Sequence, residues 1–126
     1  MNDQVRPIIV VADDDRDICE LIKIQLERHG YQVFLADNGK AALELISEHH
    51  PAVALLDIMM PKLSGLEVAR QVRDNPGTSA VSIVLISARG SGRIEADVGG
   101  LNIDDYITKP FSPQELVQRI SDVINR

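Results

Sequence analysis

Five short apolar runs alternate with longer amphipathic segments, and this alternation constrains the fold more than any other feature of the chain. The run IIVVA at residues 8–12 is apolar without interruption, as expected for a strand buried on both faces. Apolar residues then recur at helical spacing from Ile18 to Leu26, and Gly30 marks the end of a predicted helix. Such alternation predicts a parallel sheet covered by helices on both faces.

The same pattern continues through the rest of the sequence. Further strands are predicted in the segments YQVFLA, VALLD, VSIVLIS and YIT, with helices between them. Pro51 ends the second helix, Ser64 caps the third, and Ser112 caps the last, which has Pro113 in its first turn. The 126 residues are therefore predicted to form a single doubly wound α/β domain, residues 1–126, with a five-stranded parallel sheet.

Composition excludes several functions for this domain. Its formal net charge of -6 argues against a nucleic-acid-binding surface, because the phosphate backbone is bound by Lys and Arg. No apolar run approaches the roughly 18 residues that a membrane span requires, and the N-terminal MNDQVRP lacks the apolar centre of a signal peptide. A single cysteine, Cys19, cannot form an internal disulfide, so a cytoplasmic location is predicted.

Charged and hydroxyl side chains follow the predicted strands at their carboxyl ends. Asp13 and Asp14 follow the first strand, Asp57 the third, Ser87 the fourth and Lys109 the fifth. Because ligands of doubly wound sheets bind beyond the carboxyl ends of the strands, we expect these side chains to form one site. Three carboxylates with one ammonium favour a divalent cation, and Mg²⁺ suits the oxygen ligands best.

These groups are also the components of phosphoryl transfer. A carboxylate can act as the nucleophile and form an aspartyl phosphate, and nearby positive charge stabilises the transferring oxygens. Asp57 is the favoured nucleophile because it lies on a central strand and precedes the loop IMMPKLSG. Asp13 and Asp14 are the favoured metal ligands. Asp15 is predicted to cap the first helix instead.

Four motifs resemble those of receiver domains of two-component response regulators, and the resemblance covers nearly the full chain. They are the acidic pair Asp13–Asp14, the stretch LLDIMMPKLSG, the hydroxyl residue in LISA and the Lys–Pro pair in DDYITKPF. They occur in the order that the family has. The resemblance implies a (βα)5 flavodoxin-like receiver with the established strand order 2-1-3-4-5.

The resemblance also implies a role for each motif residue. Asp57 would accept a phosphoryl group from a histidine kinase or a phosphotransfer protein. Mg²⁺ would be held directly by Asp14, Asp57 and the backbone carbonyl of Met59, and by Asp13 either directly or through water. The protein would thus be a signalling switch that catalyses its own phosphoryl transfer and dephosphorylation, rather than a conventional turnover enzyme.

The remaining motif residues would respond to the phosphoryl group. Ser87 would donate a hydrogen bond to it and Lys109 would pair with it. The Lys109–Pro110 bond would be cis, which X-Pro bonds permit. Tyr106 resembles the aromatic residue that turns inward when the hydroxyl residue moves.

The last third of the chain, DDYITKPFSPQELVQRI, resembles the receivers of winged-helix transcription regulators. That resemblance implies a homodimer through the face of the fourth helix, fifth strand and last helix. Its residues on this face would be Asp104, Asp105, Glu115 and Arg119. The sequence fits a free-standing receiver and one excised from a longer regulator equally well.

Two alternatives and one departure from the family pattern remain. The chain could be a receiver-shaped interaction module that is never phosphorylated, or an unrelated enzyme or cofactor binder. A flavin carrier is disfavoured because three aspartates would repel its phosphate, and a phosphohydrolase would often carry an acid where Met59 stands. Glycines in residues 89–105 predict a fourth helix that is either short, roughly Arg93 to Val98, or displaced and mobile.

Overall fold

Strands and helices alternate along the chain up to residue 88, and a further strand and helix follow in residues 100–126. The computed structural model describes residues 6–88 and 100–126. The strands are β1 (Ile8–Ala12), β2 (Gln32–Ala36), β3 (Val53–Asp57), β4 (Ser82–Ser87) and β5 (Asp105–Thr108). The helices in the described residues are α1 (Arg16–Arg28), α2 (Gly39–His49), α3 (Gly65–Asp74) and α4 (Pro113–Asn125). The predicted fourth helix, Arg93 to Val98, lies outside the described residues.

All five strands run parallel in one sheet, in the order β2-β1-β3-β4-β5. The strand order that the resemblance implied is therefore confirmed. The register pairs Ala12 with Leu56 and Asp57 with Ile86, so the strands end close to one edge of the sheet. Side chains that follow the strand ends are thereby brought to that edge.

Two hydrophobic layers, one on each face of the sheet, hold the fold together. Successive side chains of a strand point to opposite faces, which divides β1 between the layers. Ile9 and Val11 join the layer that contains the buried residues of α1 and α4. Val10 and Ala12 join the layer beneath α2 and α3. Because both faces of β1 and β3 are covered, β1 is apolar throughout and β3 is apolar up to the Asp57 that ends it, as the sequence predicted.

Each described helix begins at a side chain that satisfies unpaired backbone amides. Asp15 accepts from the amides of Asp17 and Ile18, which confirms its predicted role as the N-cap of α1. Ser64 and Ser112 cap α3 and α4 in the same way, as predicted. Asn38 caps α2 by accepting from the amide of Ala41 at 2.9 Å.

A charged network joins α3 to the chain that leads into β5. The Arg73 guanidinium donates to the backbone carbonyls of Ser79, Val81 and Asn102 and pairs with the Asp104 carboxylate at 3.1 Å. Asp104 also accepts from the amide of Ile83 at 2.7 Å and pairs with Arg126. The Asp104 side chain is only 10% exposed, and these contacts satisfy its charge within the chain.

Candidate functional site

Acidic and hydroxyl side chains gather at the carboxyl edge of the sheet, as the sequence predicted. Asp13, which follows β1, is 0% exposed, and Asp57, which ends β3, is 4% exposed. Ser87, which ends β4, is 7% exposed. Burial of two carboxylates is costly unless each is paired or hydrogen-bonded, so their partners decide what this edge can do.

Lys109 is the cation that pairs with both buried carboxylates. Its Nζ donates to Asp57 Oδ2 at 2.9 Å and lies 3.1 Å from Asp13 Oδ2. The Lys109–Pro110 bond is cis, as expected from the resemblance. One ammonium between two carboxylates leaves an excess negative charge at the edge.

Burial and charge alter the ionisation of these groups. Burial raises the pKa of the Asp13 carboxyl, and the nearby Asp57 charge adds to this, against the hydrogen bond from the Asp15 amide and the attraction of Lys109. Burial by itself would lower the pKa of Lys109, but its bonds to Asp57 and Asp13 outweigh burial and raise that pKa. The ammonium therefore stays charged at neutral pH.

Asp14 and Asp15 are neighbours in sequence but differ in what their carboxylates contact. Asp14 is exposed, and one oxygen each of Asp13, Asp14 and Asp57 lie within 4.8 Å of one another. Asp15 instead uses its carboxylate to cap α1. The prediction that Asp14, and not Asp15, joins the acidic cluster agrees with this geometry.

The loop after β3 holds the Asp57 carboxylate in place. The Met59 amide donates to Asp57 Oδ1 at 3.0 Å, while the Met59 side chain is 74% exposed. The Gly65 amide donates to the Ile58 carbonyl at 3.0 Å, and a Cβ at Gly65 would lie 2.3 Å from the Asp57 carbonyl oxygen. Glycine is thus needed where α3 begins because the backbones approach so closely.

The donor set suits a hard divalent cation. All three clustered side chains offer carboxylate oxygens, the ligands that Mg²⁺ prefers. Asp13 Oδ2 is buried and accepts no well-directed hydrogen bond in the described residues, although Lys109 lies nearby. That oxygen therefore keeps the capacity to bind a cation, which would also reduce the repulsion between the carboxylates.

Comparison with known proteins identifies the family. Residues 9–121 match the family model described as the response regulator receiver domain. The chain belongs to the response regulator receiver family.

Solved structures of other receivers agree with this membership. The receiver domain of the Francisella response regulator 1452 is 34% identical, with a TM-score of 0.86 and coverage of 96% of this chain and 98% of that one. A protein from Chloroflexus aurantiacus J-10-fl described as a response regulator is 30% identical, with a TM-score of 0.88 and coverage of 97% and 100%. The BeF3-activated DrrB receiver domain is 26% identical, with a TM-score of 0.83 and coverage of 97% and 100%.

Membership of the family carries general properties to this receiver. Receiver domains bind Mg²⁺ at an acidic pocket, and an aspartate cluster that could hold a metal stands at the corresponding edge here. Receiver domains interact with histidine kinases or phosphotransfer proteins, and an aspartyl phosphate is typical of them. No helix in the described parts of the receiver is long and apolar enough to cross a membrane.

The predicted response residues of the receiver lie on adjacent strands. Ser87 ends β4 and pairs in register with Thr108, one residue before Lys109. Tyr106 lies on β5, is partly buried and packs against the core layer beneath α2 and α3. Its amide donates to Asp105 Oδ1 at 2.8 Å, and its carbonyl accepts from the Arg119 guanidinium at 2.9 Å. Whether Tyr106 turns inward remains a prediction.

Two contacts of the receiver site were missed from the sequence. The Cys19 thiol donates to the Asp13 carbonyl at 3.2 Å, and burial raises the pKa of this thiol to about 11, so it stays protonated at neutral pH. The approach of Gly65 to Asp57 was also missed. The adjacent Ser64 cap could have suggested a reason for that glycine, whereas nothing in the sequence distinguishes Cys19 from a small helix residue.

Proposed function

We propose that this receiver is a phosphorylation-dependent signalling switch that accepts a phosphoryl group on Asp57 from a histidine kinase or a phosphotransfer protein. The observation that carries the proposal is the pairing of Asp57 Oδ2 with Lys109 Nζ at 2.9 Å, beside the acidic cluster. A carboxylate alone is a weak phosphoacceptor. Beside an ammonium and a cation-binding cluster it has the groups that stabilise phosphoryl transfer.

In the proposed step, an Asp57 carboxylate oxygen forms a bond to phosphorus while the bond from phosphorus to the donor atom breaks. The donor leaves with the electron pair of that bond. Lys109 balances the negative charge on the transferring oxygens. The Met59 amide holds Asp57 Oδ1, which orients the carboxylate for attack.

Mg²⁺ would be held by Asp13, Asp14, Asp57 and the backbone carbonyl of Met59. Bound there, it would neutralise charge on the phosphoryl oxygens. Asp14 is exposed and can reach an incoming ligand, whereas Asp13 is fixed by the Asp15 amide at 2.9 Å. Asp13 would therefore be a preformed ligand of the ion, and Asp14 would be an adaptable one.

Ser87 and Tyr106 would carry the signal away from Asp57. A hydroxyl at the end of β4 suits a hydrogen bond to a phosphoryl oxygen, and movement of Ser87 would open space for the Tyr106 ring. Tyr106 lies on the edge strand β5, so its displacement would alter the outer face of the receiver. Such a change would control a partner or an output domain.

Exposed apolar side chains near Lys109 support a protein as the phosphodonor. Leu21 on α1 is 46% exposed. It lines a groove together with Ile18, Lys109, Pro110 and Phe111. A partner that packs on this surface would bring its phosphorylated group close to the acidic edge.

A homodimer through the face that contains β5 and α4 is also proposed. Asp105 pairs with Arg119 at 2.8 Å and Arg119 lies 3.7 Å from Glu115, and all three are at least partly exposed. Asp104 is less available, because its charge is already satisfied by Arg73 and Arg126. A dimer contact on this face would therefore depend on Asp105, Glu115 and Arg119. Light scattering of the phosphorylated and the unphosphorylated receiver measures this association.

Labelling with a phosphodonor tests the proposed function. Acetyl phosphate with Mg²⁺ should add one phosphoryl group per chain, detected by intact mass, and a phosphorylated phosphotransfer protein should do so faster. Chelation of Mg²⁺ with EDTA should suppress the labelling. If neither donor phosphorylates the receiver, the alternative is favoured, namely a receiver-shaped interaction module that is not phosphorylated. The related DrrB structure, described as BeF3-activated, supports the phosphorylated reading.

The lifetime of the phosphorylated receiver should depend on Met59. This side chain is apolar and 74% exposed beside Asp57, so it offers no group to orient an attacking water. We expect Met59→Asn to shorten the half-life of the aspartyl phosphate several-fold, because an amide can bind and direct water. Intact mass recorded over time follows the loss of the phosphoryl group and gives the half-life, with Met60→Asn as the control. Equal half-lives for Met59→Asn and the parent receiver would refute this role.

A further inference from the structure

Gly39 begins α2, and the proposed function gives it no role. It is buried and follows the cap residue Asn38. Its φ does not lie in the left-handed region that favours glycine. Alanine is the better residue in a helix, so the glycine must be explained by what it contacts.

Gly39 contacts the loop that follows Asp57. A Cβ at this position would lie 2.0 Å from the Leu63 carbonyl oxygen and 2.5 Å from Leu63 Cβ. The Gly39 amide also points at the Pro61 carbonyl oxygen, 3.4 Å away. The start of α2 therefore packs directly on the backbone of the loop, and only a residue without a side chain allows this approach.

The contacted part of the loop is a strained turn. The Leu63 amide donates to the Pro61 carbonyl at 2.8 Å, which closes a three-residue γ-turn with Lys62 at its centre. Lys62 has a φ of 70°, a conformation that is rare and strained for a residue with a Cβ. The Lys62 side chain is exposed, so its own packing does not hold the turn. Such strain persists only where neighbouring structure enforces it.

The γ-turn lies midway along the loop that orients Asp57. At the ends of the loop, two hydrogen bonds of 3.0 Å fix Ile58. Its amide donates to the Ile86 carbonyl, and its carbonyl accepts from the Gly65 amide. Between these anchors, Met59 donates to Asp57 Oδ1. A displaced γ-turn would pull on Met59 and move both its amide and its carbonyl.

We propose that Gly39 is a positioning residue for the Asp57 loop. Its contacts with Pro61 and Leu63 hold the γ-turn in the conformation that directs the Met59 backbone toward the acidic cluster. The part of this inference that concerns Mg²⁺ rests on the proposed function. The part that concerns the Met59 backbone rests on geometry alone.

Gly39→Ala tests the inference by two measurements. Calorimetric titration should give an Mg²⁺ affinity reduced by about tenfold or more, because residues that orient ligands have effects of this size. The amide resonance of Met59 should shift in the metal-free spectrum, since its bond to Asp57 is disturbed. The control is Gly30→Ala, where φ is +91° and an added Cβ has no neighbour within 4 Å. It should lower stability without altering the Mg²⁺ affinity or the Met59 resonance.

Each outcome decides the proposal. A folded Gly39→Ala receiver with parental Mg²⁺ affinity and an unshifted Met59 resonance would overturn it. If the parent receiver itself binds no Mg²⁺, the proposed function fails and the Met59 resonance alone decides. If Gly39→Ala does not fold, the Lys62→Gly, Gly39→Ala double variant takes its place, because glycine accepts the positive φ without strain. Failure of that variant to fold would also overturn the proposal, since Gly39 would then be needed for folding itself.

Discussion

Asp57→Asn is expected to abolish labelling by acetyl phosphate while leaving the fold intact. Asparagine has nearly the same shape but its amide is not a nucleophile, so no aspartyl phosphate can form. The substitution removes the partner of Lys109 at 2.9 Å and also removes the repulsion between Asp57 and Asp13. These changes oppose each other, so the free energy of unfolding should change by no more than about 2 kcal/mol.

The matched control is Asp74→Asn, at the exposed end of α3. It makes the same chemical change far from the acidic edge, and its labelling should equal that of the parent receiver. Intact mass reports the labelling, and chemical denaturation reports the stability. Stoichiometric labelling of Asp57→Asn would show that another carboxylate is the acceptor, and Asp13 and Asp14 would then be the next to test.

Asp14→Ala is expected to weaken Mg²⁺ binding by about 10- to 100-fold with little loss of stability. Loss of an outer-shell partner already has effects of this size, and Asp14 is proposed to bind the ion directly. The Asp14 carboxylate is exposed, and no cap or ion pair in the described residues depends on it, so the fold should tolerate alanine. Calorimetric titration with Mg²⁺ measures the affinity.

Asp15→Ala should give the opposite pattern. Its carboxylate accepts from the amides of Asp17 and Ile18, and loss of such a cap costs about 1 kcal/mol of stability. Mg²⁺ affinity should fall only about twofold, from the loss of one distant charge in water. Thermal unfolding measured beside the titration separates the two variants. Equal losses of affinity would mean that Asp15 binds the ion as well as capping α1, and the separation of the two roles would be wrong.

Local patterns in the sequence were sufficient to predict the elements and their order. The uninterrupted apolar runs of β1 and β3 predicted burial on both faces, and Ser64 and Ser112 predicted where helices begin. These predictions succeeded because helix caps and strand burial depend on residues close together in the chain. The register of a parallel sheet then brings the residues that follow the strands to one edge, so the composition of the acidic site was also predictable.

The tertiary structure alone decided how those residues meet. Lys109 lies 52 positions from Asp57, and only the packing of β5 beside β4 determines that its ammonium reaches two carboxylates. The partners of Asp104, for which the resemblance implied a place on a dimer face, were likewise decided by the fold, because Arg73 comes from α3 and the paired amide from β4.

The glycines at the site illustrate the same division. No local pattern explains Gly39, because a helix start tolerates many residues and the required space depends on the Leu63 backbone. Local preference is fixed by the chain's own dihedral angles and caps, so it can be read without the fold. Close approach between distant backbones is fixed by the packing of whole elements, and therefore only the folded structure reveals which residues allow it.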